Sequence, residues 1–426
     1  MPQTVSPPHE KERTSERIRR RAKELFDRVR ASGVAIDFPF PNPMTLRSFS
    51  LGEVAEILGV SHSYLRQLSI DGLGPTPELG TAGRRSYTLR QINELRAYLA
   101  SARPKDALKF HPRRREGEKL QIISVGGSAS ATTAFYLVQG LALQGFRVLA
   151  VDFDERGSFS GMFGYTFSAT PAYNKSIYAA LRCDDGRASI RTVIRPTHFD
   201  GLDIVPGSIE LRQLEEERLR GYLSGAFRNP DAKSRLVSAL EEVEGDYDVV
   251  VVIAGVPVRD SLDVVALEAA TGVLVTVHPQ LDDVASTAMS LNLFWQYVVR
   301  IEEAVKFVDY DFFKFLVTRH DPRDVSEQET IALLRGSLGD DLLTATVWES
   351  DAIGYAGLKN RSLYELSAGT VGRSAYEQAM ETLNSVNAEV MDIISEVWGR
   401  PPIYVSQASR STTAGKAKSQ SKRPSK

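Results

Sequence analysis

Between residues 120 and 404 short apolar runs alternate with amphipathic stretches, and this alternation constrains the chain more than any other feature. Fully apolar strands separated by helix-length segments imply a parallel sheet, because parallel neighbours need crossover connections that cover both faces. The runs predict strands over 121–125, 147–152, 203–205, 248–253, 272–277 and 314–318, and a closing helix over 375–398. The expected body over 120–404 is therefore α/β, a parallel sheet clothed on both sides.

The chain ahead of that body reads differently. Residues 1–15 are polar with prolines and are expected to be disordered. Over 16–43 a helix and a linker follow; the helix, 16–31, carries Ile18, Ala22, Leu25, Phe26 and Val29 on one stripe among crowded arginines. Such a stripe needs a partner. Residues 44–102 form a compact module: Ser50-x-x-Glu53 is a capping box, Gly59 closes the first helix, and Ser61 caps a second helix bearing Tyr64, Leu65, Arg66, Gln67 and Leu68. A hairpin around 83–87 and a third helix capped by Thr88-x-x-Gln91 complete the pattern of a MerR-like winged helix-turn-helix. In that reading Ser61, His62, Tyr64, Arg66 and Gln67 face the major groove while Arg84 and Arg85 hold phosphates. The alternative is a small helical module that docks another protein. A basic linker, 103–119, with Arg113, Arg114 and Arg115, joins the module to the sheet body, and a basic tail over 405–426 is expected to be disordered.

The formal net charge of -2 conceals +8 over 1–119, +6 over 405–426 and -16 between them, so any polyanion is met mainly by the ends. The single cysteine, Cys183, excludes an intrachain disulfide, and six scattered histidines offer no zinc cluster, so no metal site is expected from Cys and His. No apolar run reaches membrane-spanning length and the first thirty residues are charged, which points to neither a membrane nor export but to the cytoplasm.

The first strand of the body runs into Gly126, Gly127, Ser128, Ala129, Ser130, Ala131, Thr132 and Thr133 and then a helix, the layout of a phosphate-binding loop. A working loop places a lysine on the β/γ-phosphates and a Ser/Thr on Mg²⁺ immediately after it. Here that pair reads Ser130-Ala131, with no lysine between Lys119 and Lys175. Two readings stay open: a tight strand-to-helix turn, or a residual anion site built from backbone amides. The next strand ends in Asp152-Phe153-Asp154, where carboxylates orient metal or water, and the strand 248–253 is followed by Ala254 where an acid is needed, with Asp260 a turn further on. His278 and His320 stand at other strand ends and read as structural.

In this order the pieces resemble the RepA branch, from repABC-type plasmids, of the ParA partition ATPases, in the deviant Walker-motif class. The resemblance spans about residues 44–400 and is carried by Leu51–Val60, Ser63–Leu68, Gln91–Leu99, Leu141–Asp152, Thr271–Gln280, Leu316–Arg319 and Ser385–Glu389. It implies a P-loop NTPase-like fold behind the helix-turn-helix, ATP and Mg as cofactors, DNA as a partner, an amino-terminal dimerisation helix, and a centromere-binding partner of the ParB/RepB kind. It also implies association with nucleoid or plasmid.

The family loop has the form Lys-Gly-Gly-x-Gly-Lys-Thr-Thr-Thr; the part after its first lysine aligns with Gly126, Gly127, Ser128, Ala129, Ser130, Ala131, Thr132 and Thr133, and about four residues ahead of Gly126, the signature lysine among them, are missing. Asp152 and Asp154 match the family's Asp-x-Asp, the second being the water-orienting acid, whereas Walker B becomes Ala254-Gly255-Val256-Pro257. Each charge-assisted bond to phosphate is worth about 1.5–3 kcal/mol and one lost transition-state donor costs about 10²–10³ in rate. The expectation is a pseudo-ATPase, a homodimer or a heterodimer with an intact relative, acting in partition or operon repression. A competent ATPase using Arg156 or the linker arginines, and a purely transcriptional regulator, are the alternatives.

Overall fold

The computed structural model describes residues 13–31, 44–80, 83–165, 175–182, 184–216, 235–254, 261–304 and 309–408. The expectations for residues 1–12, 39–43, 255–257 and 409–426, and those for Cys183 and Asp260, lie outside them. Helix α1 (Thr14–Ala31) begins two residues before the predicted start and is laced by Arg20–Glu24 and Arg21–Glu24 pairs at 3.1 and 2.8 Å. Its Ile18 and Leu25 are 63% and 65% exposed.

The helix-turn-helix module comprises β1 (Phe49–Ser50), α2 (Leu51–Leu58), α3 (His62–Ile70), β2 (Glu78–Leu79), β3 (Arg85–Tyr87) and α4 (Leu89–Ala102). Both predicted capping boxes form, Ser50 with Glu53 and Thr88 with Gln91, each satisfying orphan amides at a helix start. Gly59 takes φ 61° to end α2, and the Ser61 hydroxyl accepts the Tyr64 amide at 3.2 Å to open α3. The wing is a three-stranded sheet ordered β1-β3-β2, in which buried Phe49 opposes buried Tyr87. Val54, Leu58, Leu65, Leu68, Ile92, Leu95 and Leu99 fill the space between the helices.

Segment 103–119, expected as a linker, is built into the protein. A 3₁₀ turn (Pro104–Asp106) leads into α5 (Ala107–Phe110), and Arg400 clamps the stretch beyond α5 by donating to Pro112 O and Arg113 O, both at 2.8 Å, and to Glu118.

The sheet body contains β4 (Gln121–Gly127), α6 (Ser130–Gln144), β5 (Val148–Asp152), α7 (Ser158–Met162), α8 (Tyr178–Leu181), β6 (Arg195–Pro196) and β7 (Leu202–Val205). It continues with α9 (Arg235–Glu241), β8 (Val249–Ile253), α10 (Ser261–Ala269), β9 (Gly272–Val277), α11 (Leu281–Ala304), β10 (Phe312–Val317), α12 (Val325–Leu338), α13 (Asp351–Leu358), α14 (Ala368–Val371) and α15 (Arg373–Val397). Seven strands lie in the order β10-β9-β4-β8-β5-β7-β6, parallel except for the β6–β7 pair. All six predicted strands are present; the short antiparallel edge β6 was not foreseen.

Alternation along the central strands divides the core. Ile123 and Val125, with Val148, Ala150, Val249 and Val251, pack on the face that carries α6, α15 and the helix-turn-helix. Leu149, Val151, Val250 and Val252 face the opposite layer with α8, α9 and α10. The same opposite face continues under α11 and α12 through Val273, Val275, Phe315 and Val317. The module is seated on the first face by Arg96, which is 1% exposed and donates to Leu143 O at 2.7 Å and Phe110 O at 3.4 Å. Burial pushes the Arg96 guanidinium down to about 10.

Candidate functional site

The candidate phosphate loop lies where β4 meets α6, at the C-terminal edge of the sheet. Only Ser128 and Ala129 separate the strand from the helix. Gly127 has φ +103°, and a Cβ there would stand 2.1 Å from Thr276 O on β9, so this position requires glycine for close strand contact. Strand pairing continues past it: the Ser128 amide donates to Thr276 O at 2.9 Å, and Thr276 Oγ1 donates to Gly126 O at 3.0 Å. The Ser128 hydroxyl donates to Asp283 Oδ1 at 2.5 Å, and the other oxygen of Asp283 accepts the His278 amide at 2.8 Å. Ala129 sits at φ 56° and the first helical bond runs from Thr133 N–H to Ala129 O at 3.0 Å. The amides of Ser130, Ala131 and Thr132 thus precede any intrahelical acceptor. Thr133 is buried and Ser130 and Thr132 are half-buried.

Asp152 ends β5, two strands from β4 across β8. It is fully buried and accepts the Ser160 amide at 2.7 Å, the Ser160 hydroxyl at 2.6 Å and the Asp154 amide at 3.1 Å. Burial pushes its carboxyl up to about 6, against the opposing pull of the Ser160 bonds. Ser160 in turn accepts the Gly207 amide at 3.1 Å, so Asp152 ties β5 to α7 and to the loop after β7. Asp154 accepts from the Arg156 amide at 3.1 Å, Arg156 Nε at 3.3 Å and Ser158 Oγ at 2.7 Å. Ala254, after β8, is buried and donates its amide to Val125 O at 3.3 Å. His278 and His320 follow β9 and β10, and among the described residues neither His320 ring nitrogen has a hydrogen-bond partner. Burial lowers the His320 pKa, partly offset by Glu327 and Asp321.

Asp283 and Thr276 escaped sequence reading. Asp283 is one of two acids in the first turn of α11, a pattern that also serves as an ordinary helix start, and only the fold brings it to Ser128.

On the helix-turn-helix, His62, Arg66 and Gln67 are exposed along α3, with Gln67 Nε2 donating to Asp71 at 2.7 Å. Tyr64 is half-buried beneath the Arg103 guanidinium, 4.3 Å from the ring centroid. The two wing arginines part company: Arg85 Nε donates to Ser69 Oγ at 3.0 Å and pins the wing to α3, whereas Arg84 is exposed.

A family model described as an AAA domain matches residues 121–307, and one described as a MerR helix-turn-helix family regulatory protein matches residues 49–100. The chain is 40% identical over 370 residues to a protein named replication protein A from Sinorhizobium fredii (strain NBRC 101917 / NGR234), covering 85% of this chain and 90% of that one. A protein of the same name from Rhizobium rhizogenes is 34% identical over 388 residues, covering 90% and 95%. Among solved structures, one described as a partition protein has a TM-score of 0.60 at 17% identity, covering 90% of this chain and 98% of that one, a likeness of fold. With both the DNA-reading module and the sheet body matched in a single alignment, the chain belongs to the RepA/ParA family of plasmid partition proteins.

Proposed function

We propose that this protein serves its replicon as a DNA-binding dimer, in partition or in repression of its operon, with a nucleotide site that no longer hydrolyses ATP. The observation that carries the reading is the two-residue connection from β4 to α6, with the Ser128 amide committed to Thr276 and its hydroxyl to Asp283. A connection this short leaves no loop to wrap around a β-phosphate, and the amide and hydroxyl of Ser128 are already paired. Two unit charges about 4 Å apart repel by about 4 kcal/mol at an effective dielectric of 20. A phosphate seated on Ser128 beside the Asp283 carboxylate therefore loses more than one charge-assisted bond returns, about 1.5–3 kcal/mol.

The residues do not fit a magnesium–ATP pair. Ser130 and Ala131 supply neither ammonium nor a correctly placed metal hydroxyl, Ala254 no carboxylate, and Asp152 is spent on Ser160. Arg156, the substitute that a competent ATPase would need, is paired with Asp154 at 3.3 Å. The linker arginines stand by Arg147 and Asp248, which precede β5 and β8, so they occupy the opposite edge of the sheet. DNA recognition falls to Ser61, His62, Tyr64, Arg66 and Gln67 on α3, with Arg84 as the wing's phosphate contact and Arg85 as its brace. The partner in the dimer is a second copy or an intact relative, and a ParB/RepB-like centromere-binding protein is the further partner.

The test is turnover by the purified protein with Mg-ATP and DNA. Hydrolysis at the buffer rate is expected; a rate above about 0.01 per second, the scale of a slow intact nucleotide switch, rejects the reading. Ser130→Lys with Ala131→Thr leaves the connection equally short and is expected to restore nothing.

A further inference from the structure

Where segment 103–119 passes between the helix-turn-helix and the sheet body, a cleft of about 360 Å³ is lined by Arg113, Arg114, Arg115, Arg147 and His111, with two alanines from α4 and α5. No acid lines it. Two of the four arginines are neutralised from behind: Arg147 by buried Asp248 at 2.6 Å, and Arg114 by Glu244 at 3.4 Å. Arg113 and Arg115 have no such pair: neither guanidinium makes a hydrogen bond or ion pair among the described residues, and the Glu118 carboxylate, which accepts the Arg115 amide at 2.6 Å and attracts Arg115, is itself clamped by Arg400. The Nε of Arg113 is buried without a partner. A guanidinium nitrogen sealed from water without an acceptor is costly, and buried charge is normally paired. Burial and the neighbouring Arg113 hold His111 below the usual histidine range.

The cleft is also preformed. Arg400 grips Pro112 O, Arg113 O and Glu118, and Trp398 Nε1 donates to Lys119 O at 2.8 Å, so the backbone carrying the arginines is fixed. Its volume admits a phosphate with several waters, each about 30 Å³, and the planar guanidinium fork matches phosphate oxygens. The cleft adjoins the DNA-reading module: Lys109, from the same segment, donates to Gly59 O in the turn before α3 at 2.9 Å.

We propose that this seam is a phosphate-binding site, with Arg113 and Arg115 as its free donors. The phosphate comes either from the backbone of the DNA that α3 reads or from a free di- or polyphosphate. The site lies across the sheet from the β4–α6 connection and does not depend on whether that connection binds nucleotide.

The full-length protein, Arg113→Gln/Arg115→Gln and Arg115→Gln alone are titrated with sodium pyrophosphate by calorimetry and with a nonspecific 24-bp duplex across a salt series. Far-UV circular dichroism establishes folding. A free-phosphate site gives pyrophosphate binding that weakens at least tenfold in the double variant, with Arg115→Gln intermediate. A DNA-phosphate site leaves pyrophosphate inert and lowers the log–log salt slope by about one for each arginine removed. Folded variants that match the wild type in both titrations overturn the proposal. If the double variant fails to fold, Arg115→Gln and the His111 NMR titration of the wild type decide. Bound phosphate raises the His111 pKa; an unmoved His111 with both ligands, together with an unchanged Arg115→Gln, overturns it.

Discussion

At Asp152 burial and hydrogen bonding pull in opposite directions, and burial wins: the carboxyl rises from 3.8 to about 6 despite three donors. Between these values the folded chain holds a proton that the unfolded chain has released, so this contribution to stability is fully present below about pH 3.8 and is lost as pH rises through 6. Its size is on the order of 3 kcal/mol. Chemical denaturation at pH 4 and pH 7 should therefore show the wild type gaining on Asp152→Asn by about that amount at the lower pH. Parallel pH profiles for the two proteins would remove Asp152 as a titrating group. The same residue illustrates why an acid at a strand end is ambiguous in sequence: Ser160 stands only eight positions away, yet nothing local states that its amide and hydroxyl will turn back onto the carboxylate.

Among the elements, α3 and the wing divide their work. In the proposed reading Arg66, exposed on α3, meets base edges, and Arg66→Ala should cost about 1–3 kcal/mol at the preferred operator and blunt discrimination. Arg84→Ala should weaken all sequences alike and reduce the salt slope by about one, while Arg85→Ala loosens the wing from Ser69 and affects both. Competition binding with matched and scrambled duplexes separates the three; equal losses on both duplexes for Arg66→Ala would remove it from base reading. The helices of this module were legible because caps are local: Ser50 meets Glu53 and Thr88 meets Gln91 within one turn. The central strands were legible because unbroken valine, as in β8, suits only a strand buried on both faces. What stayed hidden was long-range. Two-residue strands such as β1 and β6 carry no periodicity, nothing beside Arg96 in the chain marks its burial, and Ser128 finds Asp283 across 155 positions. The same holds for segment 103–119, whose clamp, Arg400, lies more than 280 positions further along.

For the whole molecule, α1 leaves its Ile18 and Leu25 exposed, as α11 of the body leaves Met289, Leu293 and Trp295. An apolar stripe of this kind is expected to pair with a second subunit, so removing residues 1–31 should lower the mass seen by light scattering toward that of one chain. An unchanged mass would remove α1 from any subunit contact. The other global feature is the seat of the DNA-reading module. Leu99 and Phe110 share one continuous core with Phe146 and Trp398 of the sheet body, and Arg96, Asn93 and Arg90 reach across to Leu143 and Asp200. A reader bolted down in this way acts as a ruler. Two such readers in a dimer hold a fixed angular phase around the double helix, which a pair on slack tethers would not. Inserting five base pairs between half-sites turns one by about half a helical turn and should reduce binding to the level of unrelated DNA, and inserting ten should recover the phase but not the distance. Tolerance of the five-base-pair insertion would mean that the seam yields.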